Sequence, residues 1–208
     1  MSSQVRILGI AGSLRRGSYN QAALRAATLL VPENSEIDLF QLDGIPMFNE
    51  DHEKCPPSSV LELKKRIRRA DALLIVTPEY NYSIPGVLKN AIDWACRPPG
   101  DSAWSGKAAA IMGVSPSAIG TARAQCHLRQ ILVALNLFTL NQPEVVIADA
   151  AHRFDENGNL IHEPTKQLIR ELLKNLVDWT RRISPAPESI PASSTATARH
   201  PLSGGAPA

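Results

Sequence analysis

Apolar residues fall into two alternating patterns along the chain. A short apolar run occupies Val5 to Ile10, an unbroken one Ala72 to Thr77, and two more strand-length stretches Lys107 to Val114 and Glu144 to Ala148, while Glu36 to Leu42 alternates roughly residue by residue. Runs of this length read as strands, and the unbroken one as a strand covered on both faces. Between them, apolar residues recur three and four apart, which predicts helices. The first is alanine-rich, from about Gln21 to Leu30. The second runs to about Arg69 with Val60, Leu63, Ile67 and Ala70 on one face, and Ser58 or Ser59 is its expected cap. The third carries Val87, Leu88, Ala91, Ile92 and Ala95, with Ser83 as the expected cap and Pro85 in the first turn. Leu128, Ile131, Leu132 and Leu135 mark the fourth; Leu168, Ile169, Leu172, Leu173, Leu176 and Val177 mark the fifth. A long loop, Met47 to Pro57, precedes the second helix, and Phe154 to Asn159 reads as a surface turn. Strands and helices that alternate in this way predict an α/β fold, a doubly wound parallel sheet with helices on both faces.

In such a sheet the loops at the strand C-termini share one edge, and ligands bind there. The first of these loops, Ser13 to Asn20, enters a helix, whose leading N–H groups and dipole favour an anion. Ser13, Ser18 and Asn20 offer polar side chains, and Arg15 offers a permanent charge in a planar fork. Gly12 and Gly17 have the Walker A separation, but Ser18 stands where that motif needs lysine, and the dinucleotide G-x-G-x-x-G is absent. A single terminal phosphate suits this loop better than a pyrophosphate. Alone, the loop reads equally well as an ordinary strand–helix turn with a serine cap. The third loop, Pro78-Glu79-Tyr80-Asn81-Tyr82-Ser83-Ile84-Pro85, sets tyrosines and an asparagine between prolines. It offers flat faces and groups able to read the polar rim of a heterocycle. Ser115 to Gly120 adds hydroxyls and a glycine. Phosphate at one end and a flat polar ring at the other describe a mononucleotide such as FMN.

Gly12-Ser13-Leu14-Arg15-x-x-Ser18-x-Asn20, followed by Pro78-Glu79-Tyr80-Asn81-x-Ser83-x-Pro85-Gly86-x-Leu88-Lys89-Asn90-Ala91-Ile92-Asp93-Trp94, resembles the NADPH-dependent FMN reductase family. This flavodoxin-like group includes bacterial quinone, chromate and azo-dye reductases. The resemblance covers roughly Val5 to Ile183 and implies a five-stranded sheet in the order 2-1-3-4-5, bound FMN, and a homodimer or homotetramer. It further implies that Ser13, Arg15, Ser18 and Asn20 hold the phosphate. Pro78, Glu79, Tyr80 and Asn81 would line the isoalloxazine, with Ser115 and Gly120 nearby. The family often has an aromatic residue where Cys126 stands. The flavin carries the hard chemistry. Hydride from NADPH or NADH would reach it, and electrons would leave to quinones, azo dyes, chromate or nitro-aromatics. No side chain is assigned as catalytic. Nicotinamide and acceptor would share one crevice, with Tyr80 and Tyr82 as candidate walls, and ping-pong kinetics would follow.

Composition narrows the alternatives. A formal net charge of +2 makes no case for nucleic acid. The basic run Lys64 to Arg69 lacks interleaved aromatics and reads as a solvated helix face. The chain has no run long enough to span a bilayer, so a membrane is not an expected partner. Cys55, Cys96 and Cys126 are odd in number and widely spaced, as in a cytoplasmic protein, and the five histidines show no metal-binding spacing. Residues 1–183 form the expected domain. From Ser184 to Ala208 the chain is Pro-, Ala- and Ser-rich, which is the composition of a disordered tail. Two rivals stand beside the flavoenzyme. Gly113-Val114-Ser115-Pro116-Ser117 approaches the G-x-S-x-G nucleophile elbow of a serine hydrolase, with Asp149 and His152 following in order, although Ser117 replaces the last glycine. The other is a non-catalytic flavodoxin-like electron carrier, which the positive net charge opposes.

Overall fold

The apolar runs become strands of one parallel sheet. The computed structural model describes residues 4–184; the predicted tail lies outside them, apart from Ser184. The elements in order are β1 (Val5–Ala11), α1 (Tyr19–Thr28), β2 (Ser35–Phe40), α2 (Ser58–Arg69), β3 (Ala72–Val76) and α3 (Gly86–Ala95). They continue with β4 (Ala108–Val114), α4 (Ala122–Ala134), β5 (Phe138–Thr139), β6 (Val145–Ile147) and α5 (Glu163–Ile183). The sheet order is β2-β1-β3-β4-β5, with β6 also on β4, and every ladder is parallel. This is the flavodoxin-like order.

Burial follows position in the sheet. Every residue of β3 and β4 is buried, whereas edge strand β2 alternates between half-buried and exposed. Period-two geometry sends alternate side chains to opposite faces. Ile7, Leu74, Val76, Ala110 and Met112 pack under α1 and α5. Leu8, Ile10, Leu73, Ile75 and Ile111 pack under α2, α3 and α4. The fifth strand position is filled by two pieces. β5 pairs with Ala108 and Ala109, and β6 pairs with Met112 to Val114. The expected strand at Glu144 to Ala148 is β6; β5 has no alternation to announce it. The intervening Asn141-Gln142-Pro143 contains a proline, which has no N–H for a ladder.

Two helix starts differ from expectation. At α2 the capping position is Pro57, with no side-chain cap, so neither Ser58 nor Ser59 caps it. At α3 it is Pro85, again without a side-chain cap, and the Ser83 hydroxyl instead lies 3.1 Å from His127 Nδ1 on α4. In both places the proline holds an extended backbone up to the first turn, leaving no serine in the capping position. The basic run of α2 is largely neutralised. Lys64 is buried with Nζ 2.7 Å from Asp101, Arg68 reaches the same carboxylate at 2.6 Å, and Arg66 meets Asp38 at 2.5 Å. Asn90 and Trp94 of α3 anchor the long loop: both donate to the Pro46 carbonyl, and Asn90 accepts from Phe48 N–H. No helix among the described residues is long and apolar enough to cross a membrane.

Candidate functional site

The C-terminal ends of β1, β3 and β4 open onto one cleft of about 330 Å³. It is lined by Ser13, Arg15, Ser18, Tyr19 and Asn20 from the first loop, Pro78 to Tyr80 from the third, and Val114 to Pro116 from β4 and the fourth. Eight of the ten residues expected to bind a cofactor thus meet in one place; Asn81 and Gly120 lie outside this lining.

The first loop is built to leave donors free. Its Gly12 N–H bonds back to Val76 C=O at 2.9 Å, so the strand register persists to the turn. Ser18 N–H closes onto Arg15 C=O at 3.0 Å, and Ser18 Oγ caps α1 by accepting from Gln21 N–H at 3.4 Å. Gln21 Nε2 donates to Ser13 C=O at 2.6 Å, which folds the loop over the helix start. The N–H groups of Tyr19 and Asn20 have no acceptor among the described residues. Ser13 and Ser18 are buried. Arg15 is exposed, pairs with no carboxylate among the described residues, and sits 5.8 Å from the Tyr19 ring centroid. Free helix-start donors beside buried hydroxyls and an unpaired guanidinium fit a phosphate dianion.

Asn20 has a structural task as well. Its Nδ2 donates to Val114 C=O and its Oδ1 accepts from Val114 N–H, both at 2.9 Å. Val76 pairs with Met112, and Thr77 N–H reaches Met112 C=O at 2.9 Å. One more step of that parallel ladder would join Val114 to Thr77 C=O and Glu79 N–H. The Asn20 amide takes both Val114 groups instead, so the third loop peels away from the sheet and Glu79 N–H is left unpaired among the described residues. Gly113 lies under this parting. A Cβ there would come within 2.2 Å of Thr77 C=O and of Thr121 Oγ1. A glycine within the apolar β4 run was the available sign of such a close approach.

The third loop is a tight reversal. Tyr80 and Ser83 exchange N–H···O=C bonds of 2.9 and 3.0 Å, with Asn81 at φ 51° and Tyr82 at φ 67° between them. Tyr80 and Tyr82 are exposed, at 52% and 65%. The Glu79 carboxylate reaches α4, where it accepts from Arg123 N–H and Ala124 N–H. In the fourth loop Ser115 Oγ contacts Ser117 Oγ at 3.1 Å and accepts from Ser117 N–H at 3.2 Å. Gly120 has φ 65°, and a Cβ there would come within 2.5 Å of Val146. His152 Nδ1 lies 2.8 Å from Asp149 Oδ1 in an exposed turn, and no hydrogen bond joins that pair to Ser115. Among the described residues no cluster of side chains has the makings of a metal site.

Sequence reasoning missed Arg123, His127, Thr77 and Thr121, which brace the third loop and β4. Arg123 and His127 act across the fold, each 44 residues from its partner in the third loop, whereas the Thr77 hydroxyl donates to Pro78 C=O and the Thr121 hydroxyl accepts from Gln125 Nε2.

A parallel sheet of this order, with a phosphate-fitting helix start and a tyrosine-bearing loop on one edge, defines a flavodoxin-like mononucleotide-binding protein. The model of the NADPH-dependent FMN reductase family matches residues 5–152. The chain belongs to that family, and is an oxidoreductase with FMN and NAD(P)H as its cofactors. It is 52% identical over 184 residues to an NAD(P)H-dependent FMN reductase of Pseudomonas aeruginosa, covering 88% of this chain and 99% of that one. It is 43% identical to a 2-hydroxy-1,4-benzoquinone reductase of a Burkholderia species, covering 85% and 97%. FerB, a flavoenzyme NAD(P)H:(acceptor) oxidoreductase of Paracoccus denitrificans, superposes with a TM-score of 0.80 at 37% identity, covering 86% of this chain and 98% of that one.

Proposed function

We propose that this protein is a quinone reductase that draws electrons from NADPH or NADH and passes them through FMN to quinones and similar acceptors. The observation that carries the reading is the meeting of Ser13, Arg15 and Ser18 with Pro78 to Tyr80 and Ser115 around one open cleft. FMN, when bound, supplies two-electron chemistry that no side chain of this cleft offers. The α1 N-terminus, Ser13, Ser18 and Arg15 hold its phosphate, and Asn20 keeps its free amide hydrogen beside that site. Pro78, Glu79 and Tyr80 flank the ring through backbone and tyrosine faces, with Asn81 next along the same loop, and Ser115 shapes the opposite wall, its loop turning at Gly120. Tyr80 lines the cleft and stands exposed, offering a face on which a flat acceptor stacks, and Tyr82 stands exposed two residues further along the same loop.

One mouth serves donor and acceptor in turn, so they react in sequence, and acceptors extend to azo dyes, nitro-aromatics and chromate. The active form is a homodimer or homotetramer in the cytoplasm, consistent with three unpaired cysteines. Purified protein is expected to show flavin absorption, and NADPH oxidation with a benzoquinone is expected to give parallel double-reciprocal lines. Protein that stays colourless after incubation with FMN and gel filtration refutes the cofactor assignment; intersecting lines with a trapped ternary complex refute the shared mouth.

A further inference from the structure

The third loop is not held by its own backbone alone. Its two central residues, Asn81 and Tyr82, both have positive φ, a conformation that a bulky tyrosine rarely adopts. What holds it is α4. The Glu79 side chain, 8% exposed, places Oε2 where it accepts from Arg123 N–H at 2.9 Å and Ala124 N–H at 3.1 Å. Its Oε1 accepts from Arg123 Nε at 2.7 Å. Thr121, at the capping position of α4, makes no side-chain cap; its hydroxyl accepts from Gln125 Nε2 at 3.0 Å instead. Glu79 therefore caps, from another loop, a helix that does not cap itself, and its charge complements the helix dipole. Two further contacts lie along the same helix. The Arg123 guanidinium stacks 3.8 Å from the Tyr82 ring centroid, and His127 Nδ1 meets Ser83 Oγ at 3.1 Å.

The same residue that grips α4 with its side chain offers its N–H to the cleft. Asn20 takes Val114, so Glu79 N–H has no ladder partner, and Asn81 N–H has no acceptor among the described residues. We infer that Glu79 is a positioning residue. Its carboxylate, clamped on the α4 N-terminus, sets where the backbone donors of the third loop stand, and so tunes how tightly the protein holds oxidised and reduced FMN. This rests on the cofactor site proposed above. Reduction adds negative charge to the ring, so fixed N–H donors favour the reduced form more than the oxidised one.

The test uses the apoprotein titrated with oxidised FMN by fluorescence quenching, the flavin midpoint potential of the holoprotein, and hydrogen exchange of the apoprotein. Glu79→Ala is expected to weaken oxidised FMN binding about tenfold and reduced FMN about a hundredfold. That tenfold difference corresponds to a midpoint potential about 30 mV more negative. Glu79→Gln keeps an acceptor for the α4 N–H groups, and should recover most of both losses. Exchange should accelerate in residues 79–83 of the alanine variant. His162→Ala, which removes the side-chain cap of α5 outside the cleft, serves as the control for lost helix capping alone. The inference is overturned if Glu79→Ala, or Glu79→Asp should the alanine variant not fold, its carboxylate one methylene short of the α4 N–H groups, lowers thermal stability as His162→Ala does but leaves both affinities and the potential unchanged. Failure of the unmodified protein to bind FMN would overturn the cofactor site itself, a separate outcome.

Discussion

Replacing Asn20 with alanine separates the architectural role of this residue from a purely ligand-binding one. The side chain is buried and makes two 2.9 Å bonds to the backbone of Val114, across a sequence separation of 94 residues. Alanine leaves Val114 N–H and C=O without partners at the end of a strand buried throughout. A buried polar backbone group left unsatisfied costs about 1–3 kcal/mol, so the two together cost about 2–6 kcal/mol. Against a total stability of about 5–15 kcal/mol, that is a large fraction. At about 2–4 °C per kcal/mol for a domain of this size, the melting temperature should fall by about 4 °C at the least and about 24 °C at the most. The assay is thermal and urea unfolding of the apoprotein, where no cofactor contributes. The denaturant slope should stay unchanged, because the same surface is exposed on unfolding. An apoprotein melting temperature within 1 °C or so of the unmodified protein, with only FMN affinity reduced, would refute the reasoning. It would place Asn20 wholly in the phosphate site.

Arg15→Ala is expected to weaken FMN binding more than any other single change in the first loop. A charge-assisted bond of about 1.5–3 kcal/mol corresponds to about 10- to 150-fold in Kd, read by titration of the apoprotein, and an unchanged affinity removes Arg15 from the site. Asp101→Asn tests the pairing of the α2 basic run. Hydrogen bonds from Lys64 and then Arg68 hold the Asp101 carboxyl below its usual range, so the ionised form favours the folded state. The stability this contributes is present above the ordinary carboxylate pKa and is lost as pH falls through the depressed folded value. The variant should therefore melt lower than the unmodified protein at pH 7, and the difference should vanish in strong acid. A difference that persists below the carboxylate range counts against the ion-pair account.

Much of this molecule is legible in local sequence. The unbroken apolar run of β3 announces a strand covered on both faces, and the Ile169-Leu172-Leu173-Leu176-Val177 stripe announces the buried face of α5. These signals are local because the period of side-chain direction is a property of the backbone alone. The first and third loops are legible for a related reason: their serines, arginine, tyrosines and prolines sit within a few residues of one another, between elements whose order dictates a shared edge. Tertiary structure alone decided the rest. That Asn20 completes the edge of β4, freeing Glu79 N–H, depends on two backbone groups far along the chain. That the Glu79 carboxylate caps α4 depends on a helix 44 residues away whose own capping threonine is engaged by Gln125. The serines expected as caps at Ser58, Ser59 and Ser83 were displaced by prolines that hold the entry to the helix extended. The fifth strand position was divided between β5 and β6 by a proline that cannot join a ladder. A polar side chain carries no periodicity and its partner is chosen by folding, so its task is written in the assembled sheet rather than in its neighbours.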